Sequence, residues 1–210
     1  MMLSQSIMAS AQSQWRLRCK RAEDVVISCC LLILFLPILV LITLLIRITS
    51  RGPVLFRQTR VGAKCIKFQM LKFRTMQSER CTDVPFVDAG NNIWKREDDP
   101  RLTVVGRWLR RTSLDELPQL FNVLRGDMSL VGPRPLPPCM LQAPPAILQA
   151  RAVQKPGITG LWQIRDRRRN TSIWHMLPHD LEYAARLSLW RDVVILLRTL
   201  RVVIGCDGAI

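Results

Sequence analysis

VVISCCLLILFLPILVLITLLI, residues 25–46, carries no charge in 22 positions. A helix of that length is about 33 Å long, enough to cross the hydrocarbon core of a bilayer. A buried soluble helix of this length would show a polar face, which this run lacks. A cleaved secretory leader fits no better: the apolar run is too long, and Arg47 and Arg51 follow it where a small-x-small site should stand. Two features bear on whether the segment spans. Pro37 lacks an N–H, frees the carbonyl of Ile33 and costs on the order of 3 kcal/mol in a straight helix. Arg16, Arg18, Lys20 and Arg21 precede the run, and Arg47, Arg51, Arg57, Arg60, Lys64 and Lys67 follow it. The positive-inside rule puts both flanks on the cytoplasmic side, which one spanning helix cannot satisfy. A helix broken at Pro37 that enters and leaves the same leaflet satisfies both facts. A Pro-kinked span stays open as the alternative, because such helices are common.

The whole chain has 210 residues, room for one domain or for an anchor and a smaller domain. It holds 31 Lys+Arg against 16 Asp+Glu, a net charge of +15, with 49% hydrophobic residues. That apolar content excludes a disordered polycation. Seven cysteines, an odd number with no C-x-x-C, give neither a secreted disulfide framework nor a zinc spacing, and point to a reducing compartment. Strong basicity beside a membrane segment points to an anionic membrane surface or a phosphorylated substrate ahead of nucleic acid. No nucleic-acid motif is present and aromatics are only 6%, so no nucleic-acid partner is expected.

Residues 47–80 carry nine Lys/Arg and a single acid, Glu79. Within them RGPVLFRQTRVG and KFQMLKFRTM read as two short strands. Residues 77–100 are polar and read as a loop. Helical spacing returns at Val104, Val105, Trp108 and Leu109, and again at Leu117, Leu120, Phe121 and Leu124, with Gly126 as a stop. A Pro-rich connector follows Gly132-Pro133-Arg134-Pro135, and Lys155-Pro156-Gly157 reads as a turn. From Leu187 to Ile204 an apolar stripe alternates with Arg191, Arg198 and Arg201 on one side, as in an amphipathic helix lying among lipid headgroups or in a helix that faces the core of a soluble domain.

The densest knot of reactive groups is RRTSLDELPQL, residues 110–120. Pro118 fits only the first turn of the helix that runs to Arg125, so Asp115 and Glu116 fall at that helix's N-terminus. There the backbone N–H groups and the dipole favour an ionised carboxylate, which could serve as a nucleophile or a metal ligand. Ser113-x-x-Glu116 is equally a capping box, and acids in a first turn are routine helix punctuation. Arg134, between two prolines, has the fork geometry that suits phosphate, although an arginine in a turn is often only a surface residue. His175 and His179 lack the glutamate of a zinc motif.

Several stretches together resemble the bacterial sugar transferase family, the monotopic polyprenyl-phosphate phosphoglycosyl transferases. They are RGPVLFRQTRVG (51–62), KFRTM (72–76), SLDELPQLFNVLRGDMSLVGPRP (113–135), KPGITGLWQ (155–163) and SLWRDVVILLRTL (188–200). The likeness runs from about Lys20 to the C-terminus and is to the short form of the family; within it the exopolysaccharide-initiating galactosyl-phosphate transferases are the nearest kind. The resemblance implies an α+β, mostly helical fold: a basic tail (1–24), a re-entrant membrane helix (25–46) broken at Pro37, and a cytoplasmic catalytic domain (47–210) with amphipathic interfacial helices. It implies transfer of a sugar 1-phosphate from a UDP-sugar, with galactose or glucose as the sugar, to undecaprenyl phosphate. The transfer would use Mg²⁺, release UMP and take place at the cytoplasmic face of the bacterial inner membrane, at the start of exopolysaccharide or related glycan assembly.

By the same resemblance Asp115 is the nucleophile that forms a phosphosugar intermediate and a ligand of Mg²⁺. Glu116 assists as a base or positions the lipid phosphate, and Arg110, Arg134 and Lys72 attend the phosphates. The partners are the UDP-sugar, undecaprenyl phosphate and inner-membrane lipid, and a homodimer is allowed. Two departures stand out. Leu36 takes the place of the serine usual before the membrane proline, and Ile164-Arg165-Asp166-Arg167 follows Gly160-Leu161-Trp162-Gln163 where the family has a small residue and Gly-Arg. The second departure motivates a rival reading, a catalytically silent relative that regulates polysaccharide synthesis.

Overall fold

The computed structural model describes residues 2–77, 99–138, 148, 151–165 and 173–205. A 48-residue helix, α1 (Met2–Thr49), leads into a hairpin of β1 (Leu55–Val61) and β2 (Lys67–Phe73). Next come α2 (Val104–Thr112), a 3-10 turn at Leu114–Glu116 and α3 (Gln119–Arg125). A second sheet pairs β3 (Ser129–Val131) with β4 (Gly157–Thr159) in parallel. The helices α4 (Leu161–Arg165), α5 (Ile173–Ala185) and α6 (Leu189–Ile204) complete the order. Among the described residues the chain is thus helix-dominated with two two-stranded sheets, the α+β class the sequence suggested. Most of the polar loop (78–98), the Pro-rich connector from 139 to 147 and Asp166–Arg169 lie outside the described residues.

The hairpin pairs antiparallel from Leu55↔Phe73 to Val61↔Lys67. An unpaired edge would leave β2 with open N–H and C=O groups. Asn122 of α3, fully buried, supplies both partners: its Oδ1 accepts from Leu71 N at 2.9 Å and its Nδ2 donates to Gln69 O at 2.7 Å. Gly126 ends α3 in the left-handed region (φ 92°), as its position after the last apolar residue suggested. The small sheet had no such signal, since each strand is three residues long and β4 begins on a glycine. Its chains cross too closely for side chains. A Cβ on Gly157 would lie 2.1 Å from Gly132 N, and one on Gly132 2.3 Å from Lys155 O.

α1 lies along the body rather than apart from it. Leu39, Ile42 and Ile46 are buried against Phe73 and Leu109, while Ile27, Leu31 and Leu32 pack onto the core of Met70, Leu120, Val123 and Leu130. The opposite face, with Val26, Ile33, Leu34, Leu36, Val40, Leu41 and Leu44, is exposed and wholly apolar; Ile33 is 75% exposed. A continuous apolar face of that length suits lipid, not water. The helix runs without interruption through Pro37. Downstream, Thr43 and Thr49 return hydroxyl hydrogen bonds to the carbonyls of Leu39 and Leu45.

Both ends of the apolar run are fastened to the same body. On the upstream side Asp24 accepts from Ser129 Oγ (2.8 Å) and Leu130 N (2.9 Å). Arg21 donates to the last-turn carbonyls Val123 O and Leu124 O of α3, where a cation also opposes the helix dipole. Lys20 pairs with Asp192 of α6 at 2.5 Å, and Tyr183 of α5 donates to the same carboxylate at 2.7 Å. On the downstream side Arg74, next after β2, donates to Ser50 O (2.9 Å) and Arg51 O (2.7 Å). Lys20 and Arg21, counted in sequence as flanking membrane charges, therefore have internal partners.

The basic face of α6 also changes. Arg191 is drawn to Glu182 of α5, which Arg165 of α4 holds from the other side at 2.6 Å. These two guanidiniums hold the Glu182 carboxyl below its ordinary range. The exposed basic residues of α6 are Arg198 and Arg201, beside exposed Leu197 and Leu200.

Candidate active site

The acidic knot does not fold as a capping box. Ser113 ends α2 in the left-handed region (φ 57°), and its side chain makes no capping bond. A capping serine needs extended backbone, which that conformation denies it. Asp115 and Glu116 consequently stand on their own 3-10 turn, one turn ahead of α3, with Pro118 at the N-cap of α3. The turn is closed by Glu116 N to Ser113 O (3.2 Å) and Leu117 N to Leu114 O (3.3 Å).

Glu116 turns away from the backbone and toward the hairpin. Its Oε1 accepts from Lys72 Nζ at 2.8 Å, with both side chains less than one-fifth exposed. Asp115 is buried at 8% exposure. Arg110, in the last turn of α2, donates its Nε to Thr75 Oγ1 at 3.1 Å. Two carboxylates, a lysine and an arginine that sequence reading singled out are thus carried by three neighbouring elements. Lys72 sets a positive group against the acidic turn, and Arg110 carries a second on the preceding helix, an arrangement able to receive a phosphate beside a carboxylate.

Arg134 sits elsewhere, at the other end of the hairpin, where Val61 N donates to Leu136 O at 2.9 Å. Its guanidinium lies 5.8 Å from the ring centroid of Trp162, within range of a cation–π contact. Residues 129–133 and 135–137 around it are buried, while Arg134 is half-buried.

Sequence reading missed what holds that turn. Arg60 Nη1 donates to Pro135 O (3.2 Å), and Arg151 Nη2 donates to Arg134 O (3.2 Å) while its Nε reaches Asp180 Oδ2 (2.6 Å). Asp180 is 29 residues from Arg151, so no local spacing could have linked them. Burial pushes the Asp180 carboxyl above its ordinary range, and Arg151 pulls against that rise.

Among the described residues no group of three or more His, Cys, Asp or Glu side chains could hold a metal. His175 and His179 meet edge to face with centroids 6.3 Å apart, and no zinc site forms there. Of the departures, Arg165 is committed to Glu182, while Asp166 lies outside the described residues. Leu36 is exposed on the outer face of α1.

Comparison with known proteins gives this arrangement a family. A model described as bacterial sugar transferase matches residues 15–206. The chain is 44% identical over 197 residues to the UDP-glucose:undecaprenyl-phosphate glucose-1-phosphate transferase of Caulobacter vibrioides, covering 90% of this chain and 71% of that protein. It is 42% identical over 200 residues to the undecaprenyl-phosphate glucose phosphotransferase of Komagataeibacter xylinus, 90% of this chain but 36% of that one. With the undecaprenyl-phosphate galactose phosphotransferase of Salmonella typhimurium it shares 40% identity over 199 residues, again 90% of this chain and 41% of the relative. It therefore spans well under half the length of two of these three relatives. The motifs, the helix-dominated fold and this match agree, and the chain belongs to the bacterial sugar transferase family.

Proposed function

We propose that the chain transfers a sugar 1-phosphate from a UDP-sugar to undecaprenyl phosphate, releasing UMP, as the first membrane step of exopolysaccharide or related glycan assembly. The observation that carries this reading is the buried Asp115 on its 3-10 turn, next in sequence to Glu116, whose carboxylate Lys72 holds at 2.8 Å. A carboxylate oxygen of Asp115 attacks the sugar-linked phosphorus, the bond to the bridging oxygen breaks, and UMP leaves with that oxygen. A phosphate oxygen of the lipid then attacks the same phosphorus and frees the Asp115 carboxylate. Splitting the transfer in two lets each substrate bind in turn.

Two anionic substrates converging on a carboxylate need positive charge close by. Lys72 and Arg110 supply part of it. Mg²⁺ is a hard cation usually held by one or two carboxylates together with substrate phosphates. Asp115 fits that limited role, with Glu116 beside it, so a donor set of fewer than three acids is no obstacle. The ion, when bound, would offset phosphate charge. Lys72→Met should lower kcat on the order of 100-fold, read as UMP release at saturating substrates; a change under about threefold would remove Lys72 from the site.

The relatives named for glucose and for galactose leave both sugars as candidates. Purified protein in nanodiscs, given undecaprenyl phosphate, Mg²⁺ and a panel of UDP-sugars, should release UMP with one or both of them. No release with any sugar from folded protein would favour the silent relative instead.

The site belongs, in this reading, to the cytoplasmic face of the inner membrane, with α1 entering and leaving one leaflet and bending at Pro37. Supporting it, Asp24 upstream and Ser50 downstream of the apolar run bond to the same body. A body on one side of a bilayer cannot hold both ends of a spanning helix. Cysteines introduced at the exposed positions Arg18 and Arg47, in a variant without the native cysteines, should react with an impermeant maleimide from the same side of sealed vesicles. Reaction from opposite sides would replace the re-entrant path with a span.

A further inference from the structure

A cleft of about 320 Å³ opens between the upstream part of α1 and the junction of α5 with α6, lined by Arg16, Lys20, Leu187, Ser188, Leu189 and Trp190. That volume falls at the lower end of the range usual for small-molecule sites, about 300–1,000 Å³. One wall is cationic. Lys20 is committed to Asp192, which Tyr183 also holds, so that pair is balanced. Arg16 lies one helical turn before Lys20 and is exposed, and among the described residues no carboxylate pairs with it. Ser188 stands at the N-cap of α6 in extended conformation, yet its hydroxyl makes no capping bond. The first N–H groups of that 16-residue helix are left without the usual side-chain acceptor, and the helix dipole adds partial positive charge to that of Arg16.

The other wall is apolar and open to its surroundings. Trp190 is 73% exposed, and Trp15, next to Arg16 in sequence, is 67% exposed. Trp15 precedes Ile33 by about five helical turns, so both stand on one side of α1, the side whose apolar residues suit lipid. On α6 Trp190 shares a face with exposed Leu197, about two turns further on. Indole rings favour the boundary between headgroups and acyl chains, where one end of the ring is apolar and the other wet. A soluble anion would use the cations and leave both tryptophans bare. A phospholipid matches both walls at once.

We propose that this cleft seats an anionic phospholipid, with Arg16 donating to the phosphate oxygens and the glycerol and upper acyl chain lying over Leu189 and Trp190. The forked guanidinium suits a phosphate diester. The site stands apart from the acidic turn. About 28 Å of α1 separates Lys20 from Leu39, and Leu39 belongs to the cluster against which Leu114 and Leu117, on either side of Asp115, are packed. The lipid here is thus a fixed membrane contact and not the acceptor of the reaction. It ties the upstream end of α1 to the headgroup layer at the place where Lys20 already ties it to α6. Nothing in this proposal depends on the chemistry at Asp115.

Native mass spectrometry of the full-length protein in detergent micelles tests it, with dioctanoyl phosphatidylglycerol, dioctanoyl phosphatidylcholine and inorganic phosphate as probes. The protein should retain one phosphatidylglycerol, with an affinity at least about fivefold above that for the zwitterionic phosphatidylcholine. Arg16→Gln should weaken that binding about tenfold, and Trp190→Ala at least about threefold. Both side chains are exposed, so neither change should move the melting temperature by more than about 2 °C. Arg201→Gln removes an exposed cation of α6 that does not line the cleft, and should leave binding within about twofold. Equal losses for Arg16→Gln and Arg201→Gln would reduce the effect to diffuse surface charge and overturn the proposal, as would equal affinity for the two lipids. Inorganic phosphate that displaces the lipid at a similar concentration would make the cleft a site for a soluble anion. Undecaprenyl phosphate that displaces it one for one would make the cleft part of the acceptor's path. Either displacement also overturns the proposal.

Discussion

Asp115→Asn should reduce sugar-phosphate transfer on the order of 10⁴-fold or more while the protein stays folded and membrane-bound. The size follows from the role. An amide oxygen is a far weaker nucleophile than a carboxylate, and no other acid on the 3-10 turn can replace it, since Glu116 is turned to Lys72 at 2.8 Å. The surrounding structure should notice little. The turn is closed by backbone bonds on either side of Asp115, and asparagine has nearly the same volume. Transfer, melting temperature and membrane fraction measured together separate a lost nucleophile from a lost fold. Turnover within about tenfold of wild type would remove Asp115 from the chemistry.

Lys20→Met should destabilise the fold strongly. Lys20 and Asp192 are buried, and Tyr183 donates to the same carboxylate. Burial already pushes the Asp192 carboxyl above its ordinary range, with Lys20 acting against it. Methionine matches the length of the lysine stem but leaves Asp192 without its counter-ion, near Asp24. Breaking a buried pair this way costs about 3–5 kcal/mol, a large share of the 5–15 kcal/mol typical of a folded domain. For a chain of this length that corresponds to a fall in Tm on the order of 10 °C, measured in detergent or nanodiscs. Arg18→Met, at an exposed position of the same helix, is the control and should shift it by less than about 2 °C. An equally small shift for Lys20→Met would mean that the upstream end of α1 is a removable tail.

That contrast marks where sequence reading works and where it stops. The hairpin, α2, α3 with its Gly126 stop, and α6 were readable because each carries its own periodicity and its own punctuation. β3 and β4 were not: three-residue strands paired across 28 positions, Ser129 with Gly157, leave no local pattern. The acidic turn was found by its residues, but its geometry was misread. Ser113-x-x-Glu116 has the spacing of a capping box, and only the left-handed Ser113 shows that α2 ends there. Lys20 and Arg21 were counted by charge alone, and charge does not reveal that one faces Asp192 and the other the end of α3. Long-range partners such as Arg151 and Asp180 are set by the packing of α5, which no stretch of neighbouring residues encodes.

Omitting the lipid acceptor isolates the covalent step. Protein given the UDP-sugar and Mg²⁺ alone should release UMP in a single burst of about one equivalent per active site. The sugar phosphate should then be found by mass spectrometry on the peptide that contains Asp115. No UMP until undecaprenyl phosphate is added, with Asp115 unmodified throughout, would contradict it and require the two substrates to react directly with one another.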